Sequence, residues 1–311
     1  MIFSTAFSVL FPLFAKIGLG YVLRSVGFLS QKTLKEMNNL IFRVFIPTLL
    51  FSNIYQTDFA TITSFRLLWF SILSILVMNA FFMVFIPMIE PENRRRGVMV
   101  QGICRSNFIF FGMPMAVALF GGASAGLASL MVGVVVPMVN VTSVVALEYF
   151  RKKTPNFGMI IKGILLNPIL IGGFLGLVCS LTSVRLPLAM ERVLIEIADI
   201  ATPLALIILG ASVTFTSVKA NRKSLILAVA GKLLIVPAVG VTISILAGFR
   251  GLELILLMSM FASPAAVSSY TMAQQMDGDA DLAGQIVVFT TAFSLFTLFF
   301  WITSLMGLGY F

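Results

Sequence analysis

The sequence predicts an all-α integral membrane fold: ten transmembrane helices in a 5+5 inverted repeat, with helices 4 and 9 broken. Three observations carry this expectation. Hydrophobic residues fill 59% of the 311 positions and charged residues only 11%, for a mean hydropathy of +1.06, whereas a soluble chain carries about a quarter charged residues. Apolar runs of roughly 20 residues, the length that crosses a bilayer, recur at about 4–23, 38–56, 67–89, 98–120, 125–148, 158–181, 194–216, 224–248, 252–275 and 282–305. The fourth and ninth of these runs carry polar, proline-containing interruptions, with Pro114 and Pro264 lying 150 positions apart.

Charge placement sets the orientation. With both termini outside, thirteen basic residues fall on one side: Arg24, Lys32, Lys35, Arg94, Arg95, Arg96, Arg151, Lys152, Lys153, Lys162, Lys219, Arg222 and Lys223. Four fall on the other: Arg66, Arg185, Arg192 and Arg250. Cytoplasmic loops are the ones enriched in Lys and Arg, so both termini are expected to be non-cytoplasmic, in a multi-pass protein of the cell (inner) membrane. The net charge of +9 therefore reports topology and lipid contact, not nucleic acid. No basic residue precedes the first run and no small-x-small cleavage site follows it before Arg24, so the run reads as a span and not as a signal peptide.

Taken in order, helix 1 carries Lys16 near mid-depth and ends at Gly18-x-Gly20. Helix 2 starts after Asn38-Asn39 and bends at Pro47, and helix 3 is apolar from Leu67 to Ile89. The turn from Glu90 to Arg96 leads into helix 4, where Arg105, Ser106-Asn107 and Gly112-x-Pro114 interrupt the apolar run before Gly121-Gly122 ends it. Helix 5 returns through Pro137 to Glu148. The basic loop at Arg151 then divides the chain into halves at 1–150 and 151–311. Past it the pattern restarts: Gly20 and Pro47 are 27 apart, as are Gly176 and Pro203, at an offset of 156. Gly126-Leu-Ala-Ser129 and Asp281-Leu-Ala-Gly284 open helices 5 and 10 at an offset of 155. Because each half holds an odd number of spans, the second must enter from the opposite side, which makes the repeat inverted.

Ser106-Asn107, then Phe110-Phe111-Gly112-Met113-Pro114 and the turn at Gly121-Gly122, resemble the fourth-helix signature of the auxin efflux carrier family, in its short-loop bacterial form. Asn38-Asn39 with Pro47 is similar to that family's second helix, and Ser263-Pro264 fits its second crossing. The likeness covers essentially the whole chain. It implies a bile-acid-symporter-like or NhaA-like fold, with helices 1, 2, 6 and 7 as scaffold and helices 3–5 and 8–10 as a moving core in which 4 and 9 cross. It also implies small organic anions such as auxin, malate or malonate as substrates, and a homodimer through the scaffold helices.

A break in a membrane helix leaves backbone groups unsatisfied and exposes about half a charge of dipole at each new end. Half-helix N-termini are expected at Met115 and Ala265, beside Asn107, Gly112, Pro114, Ser263 and Pro264, while Ser268, Ser269 and Tyr270 give helix 9 a polar face. The alternative is that both prolines only kink continuous helices, and that Asn107 bonds a neighbouring helix. Ionisable residues inside spans cost several kcal/mol unless paired or wet. Arg43 lies within snorkelling reach of the surface. Arg105 either snorkels or attracts an anion, and Lys16 and Lys232 lie deeper. Asp199, the one acid well inside a span, either carries a coupling proton or pairs with Lys16 or Lys232.

The residues that are missing narrow the function. Without His, neither His-ligated metal nor a His proton relay exists, and no His-Glu-x-x-His motif or catalytic acid pair is present. Cys104 and Cys179 sit in apolar runs as small hydrophobes. No enzyme activity, cofactor or metal is expected. No acid occurs between Glu253 and Asp277, which argues against a dedicated sodium site at the second break. The expected function is a secondary transporter of small organic anions working by alternating access. The rivals are an anion channel and a sodium-coupled symporter of the related fold.

Overall fold

In a bilayer no water is available to backbone N–H and C=O groups, so each spanning segment must close its own hydrogen bonds, and near-continuous helix results. The computed structural model describes residues 2–57, 64–151, 157–182, 184–212 and 218–310, excepting the side chains of 2–10, 113, 114, 123, 157 and 159. The helices are α1 (Ile2–Ser25), α2 (Gln31–Leu40), α3 (Ile46–Tyr55), α4 (Phe65–Ile89), α5 (Asn93–Cys104), α6 (Phe108–Phe120), α7 (Ala125–Phe150) and α8 (Phe157–Leu165). They continue with α9 (Pro168–Leu181), α10 (Leu188–Ser212), α11 (Val218–Ala230), α12 (Val236–Leu246), α13 (Gly251–Ala262), α14 (Ser268–Gln275) and α15 (Ala280–Gly307). Wider, π-type turns at Ile41–Phe45 and Gly231–Ile235 join α2 to α3 and α11 to α12 without a break.

Among the described residues, five helices are long and apolar enough to cross a membrane: Phe65–Ile89, Ala125–Phe150, Leu188–Ser212, Val218–Leu246 and Ala280–Gly307. Shorter apolar helices accompany them, so the chain is a multi-pass integral membrane protein. Side-chain caps fix several starts. Ser30, Ser64, Asn167 and Asp279 each accept from a backbone N–H in the first turn of α2, α4, α9 and α15, meeting donors that no helix can satisfy internally.

Two expectations change. The run 158–181 is not one helix, because Asn167 caps a new start and Pro168 opens α9, where a proline costs nothing. The interruption of the fourth run lies at 105–107, and α6 continues through position 114. Half-helix N-termini therefore fall at Phe108 and Ser268, not at Met115 and Ala265. An interior membrane proline gives up one ladder bond and can be absorbed as a local adjustment. The true break is fixed instead by pairing with the second one: Ser106 and Ala265 form an antiparallel bridge, the single isolated bridge among the described residues.

Helices α1 and α10 pack together, as do α3 and α9, and α10 also packs on α3. Both close approaches depend on glycine. A Cβ at Gly20 would strike the carbonyl oxygen of Ile207, and one at Gly176 would lie 2.7 Å from that of Phe51. The two contacts are related by the same offset of 156 that the sequence carries. The remaining helices pack on one another: α5 against α4 and α7, α13 against α6 and α12, and α15 against α11 and α14.

Candidate functional site

The crossing assembles from two short interruptions. The Asn107 N–H donates to the Pro264 carbonyl at 2.8 Å, and the Ala265 N–H to Thr290 Oγ1 on α15 at 3.1 Å. Gln101 Nε2 reaches across to the Ser269 carbonyl at 2.8 Å. Each break is thereby braced by the other and by its neighbours, which is what an irregular backbone needs in hydrocarbon.

Arg105 ends the first half-helix and is 4% exposed. Its Nη2 donates to Asn140 Oδ1 at 2.8 Å and to Ser268 Oγ at 2.7 Å, while Nη1 meets Met272 Sδ at 2.6 Å. Its Nε is buried with no partner. No carboxylate forms an ion pair with it among the described residues. A buried guanidinium held only by neutral acceptors is costly unless an anion completes it. Among the described residues, Ser106 Oγ and Asn53 Nδ2 are likewise buried without partners and line the cleft that opens against Arg105. Buried polar atoms are rarely left unpaired, so the cluster marks binding capacity.

A cleft of about 70 Å³ opens against Arg105, Ser106, Asn107, Asn140 and Ser268, room for a few atoms at water packing. Its other walls are apolar, from Ile46, Leu50, Val136, Val139 and Ala205, with Asn53 and Thr202 at the edge. It lies between α3 and α10 on one side and the crossing with α7 on the other. Beside it, Asn38 Nδ2 of α2 donates to Gln274 Oε1 of α14, and Gln274 Nε2 donates to Tyr270 Oη at 3.2 Å.

The sequence candidates separate. Arg105, Asn107 and Ser268 converge on the cleft. The Pro264 carbonyl is used by Asn107, Ser263 Oγ bonds back to the Ser259 carbonyl, and Ser269 is buried just behind. Gly112 serves packing, because a Cβ there would strike the Phe108 ring. Pro114 has its side chain outside the described residues. Lys232 is fully buried away from the cleft, its Nζ 3.5 Å from the carbonyl of Phe261 in the last turn of α13, where a cation complements the helix end.

Asp199 is exposed on α10 and Lys16 half-buried on α1, and neither forms an ion pair among the described residues. Their separation follows from the packing. Gly20 faces Ile207 and Gly210 faces Ile17, so α1 and α10 meet on the C-terminal half of α10, past Asp199, whose side chain is exposed. Asn140, Asn53 and Met272 were not singled out from sequence. A lone amide in the middle of an apolar run, as at Asn140 and Asn53, is the signal that finds two of them. No group of His, Cys, Asp or Glu able to hold a metal occurs among the described residues.

The family model described as "Membrane transport protein" matches residues 5–302. An uncharacterised transporter of Methanothermobacter thermautotrophicus is 25% identical, the match covering 97% of this chain and 99% of the relative. An uncharacterised transporter of Methanocaldococcus jannaschii is 23% identical over 91% of this chain and 93% of its own length. With a membrane-spanning helical fold and a family match over nearly its whole length, the chain belongs to the membrane transport protein family, that of the auxin efflux carriers.

Proposed function

We propose that the protein is a secondary transporter that carries small organic anions across the cell membrane by alternating access. The observation that carries this reading is Arg105: a buried cation with an unpartnered Nε, no counter-carboxylate among the described residues, and a cleft beside it. The substrate carboxylate completes the guanidinium, with Asn107, Asn140 and Ser268 as further partners. The N-termini of α6 and α14 add favourable dipole ends. The apolar walls take the body of the anion.

In the same reading the chain spans the membrane ten times as two inverted halves, 1–150 and 151–311. Two features support this: the glycine contacts related by the offset of 156, and the equal lengths of α5 and α13, 12 residues each. The helices α1, α2, α3, α9 and α10 form the scaffold, and the rest form the core that moves against it. With both termini outside, as the charge asymmetry supports, the Asn38–Gln274–Tyr270 chain lies on the cytoplasmic side of the crossing and closes that side. The cleft lies along α3, the outer half of the second span. Exposed residues along the first half of α10, Met190 and Val193 among them, suit the homodimer that a scaffold interface requires.

Substrate counterflow in proteoliposomes, screened across mono- and dicarboxylates, tests the proposal. Saturable exchange that Arg105→Gln abolishes supports it. Ion flux far above carrier turnover, without counterflow, would favour a channel instead.

A further inference from the structure

Away from the crossing, a second feature combines charge and apolar surface. Between α11 with its π-type turn and α15 lies a groove of about 620 Å³ with walls that are almost wholly apolar, Ile226, Leu234, Phe293 and Phe296 being exposed along it. Lys219 and Arg222 stand at one end. From Lys219 to Leu234 the helix rises about 22 Å, which is the depth of one leaflet with its headgroup layer.

Four arginines on that side are engaged. Arg94 donates to the carbonyls of Asp277 and Gly278, Arg95 pairs with Glu92 and Asp279, Arg96 bonds Glu90 and Asn93, and Arg151 pairs with Glu148 and Asp277. Lys219 and Arg222 are exposed and make no hydrogen bond or ion pair among the described residues. No acidic residue lines the groove. The opposite face of α11 is tied down by Asn221 to Gln285 at 3.2 Å and by Ser224 to Glu90, which leaves the basic and apolar face turned outward.

We infer that this groove is a binding site for an anionic phospholipid, whose acyl chain lies between α11 with its π-type turn and α15 and whose phosphate is held by Lys219 and Arg222. Bulk lipid would satisfy the apolar wall alone. The free cation pair selects a headgroup with net negative charge over a zwitterionic one, whose ammonium the same pair repels. The inference stands on the groove and its charges and is independent of what the crossing transports.

Native mass spectrometry of the full chain, released from mixed micelles holding equal phosphatidylglycerol and phosphatidylcholine, tests it. The parent should retain phosphatidylglycerol preferentially, and Lys219→Gln with Arg222→Gln should cut that preference about 30-fold, each basic contact being worth about fivefold. Leu234→Trp, which fills the groove, should reduce retention of both lipids. Lys32→Gln with Lys35→Gln, on α2, should leave the preference intact. Equal retention of both lipids by the parent overturns the site. So does an unchanged preference in the Lys219 and Arg222 variant, or an equal loss in the α2 control.

Discussion

The backbone N–H of Asn107 donates to the carbonyl of Pro264 at 2.8 Å, so each interrupted helix is held open by the other. Pro264 lies inside its interruption, whereas α6 runs on through position 114. The two prolines should therefore behave differently. Pro264→Ala supplies an N–H that can extend the α13 ladder, and should retain folding while losing most substrate counterflow. Pro114→Ala should keep most of it. Equal, large losses would return position 114 to the break.

Arg105 should be worth more to binding than to folding. Arg105→Gln removes the charge that the anion meets, costing about 2–5 kcal/mol of affinity, while the apo protein melts no lower because an uncompensated buried cation has gone. Arg105→Lys should recover part of the loss only, since a point charge cannot reproduce the planar fork. Ligand-dependent thermal shifts measure both quantities.

Asn140 holds Arg105 with its carbonyl and its own helix with its amide, Nδ2 bonding the Val136 carbonyl at 2.7 Å. Asn140→Leu should weaken substrate binding by about 1–3 kcal/mol by leaving the guanidinium short of an acceptor. Asn140→Asp should hold the guanidinium as an ion pair and block anion binding outright. Affinity in the Asp variant that equals the parent's would remove Arg105 from the site.

The bond between Asn38 and Gln274 joins helices on opposite sides of the cleft. Gln274→Ala should release about 0.5–1.5 kcal/mol of restraint and raise the rate at which Ser268→Cys is alkylated from the cytoplasmic side. An unaltered rate would show that this bond does not gate access.

Gly20 and Gly18 provide a paired test of the α1–α10 contact. Gly20→Val should lower stability by about 1–3 kcal/mol or more by overpacking against the Ile207 carbonyl. Gly18→Val has nothing within 4 Å to meet and should be neutral. Thermal unfolding in detergent distinguishes them.

The multi-pass helical membrane fold was legible because hydrophobic run length is a property of single segments. The break in the fourth run was harder to place. Gly112-x-Pro114 carries the residues that disrupt helices, yet the chain opens at Arg105–Asn107, where its partner lies in another helix entirely. Asn167 and Pro168 escaped notice for the opposite reason, since a cap and a proline at a helix start look like ordinary membrane sequence until the chain is seen to turn. Arg105 could be read as an ion binder, but its neutral partners Asn140 and Met272 come from two other helices, and no spacing rule joins them. The expected pairing of Asp199 with a lysine fails because Asp199 is exposed on α10 while Lys16 is half-buried and Lys232 fully buried, facings that the hydropathy of one run does not contain.

The bridge between Ser106 and Ala265 also sets an order of events during synthesis. At about 5–20 residues per second, the ribosome needs roughly 8–32 s after making Ser106 before Ala265 exists. Through that interval α5 and α6, at 12 and 13 residues, are each too short to span the bilayer alone, and the opened turn between them has no strand partner. The nascent first half must wait beside the insertion machinery with its polar interruption at Arg105–Asn107 unprotected. Truncated or stalled chains ending before residue 265 should be the preferred prey of membrane proteases, and cleavage should begin around Arg105.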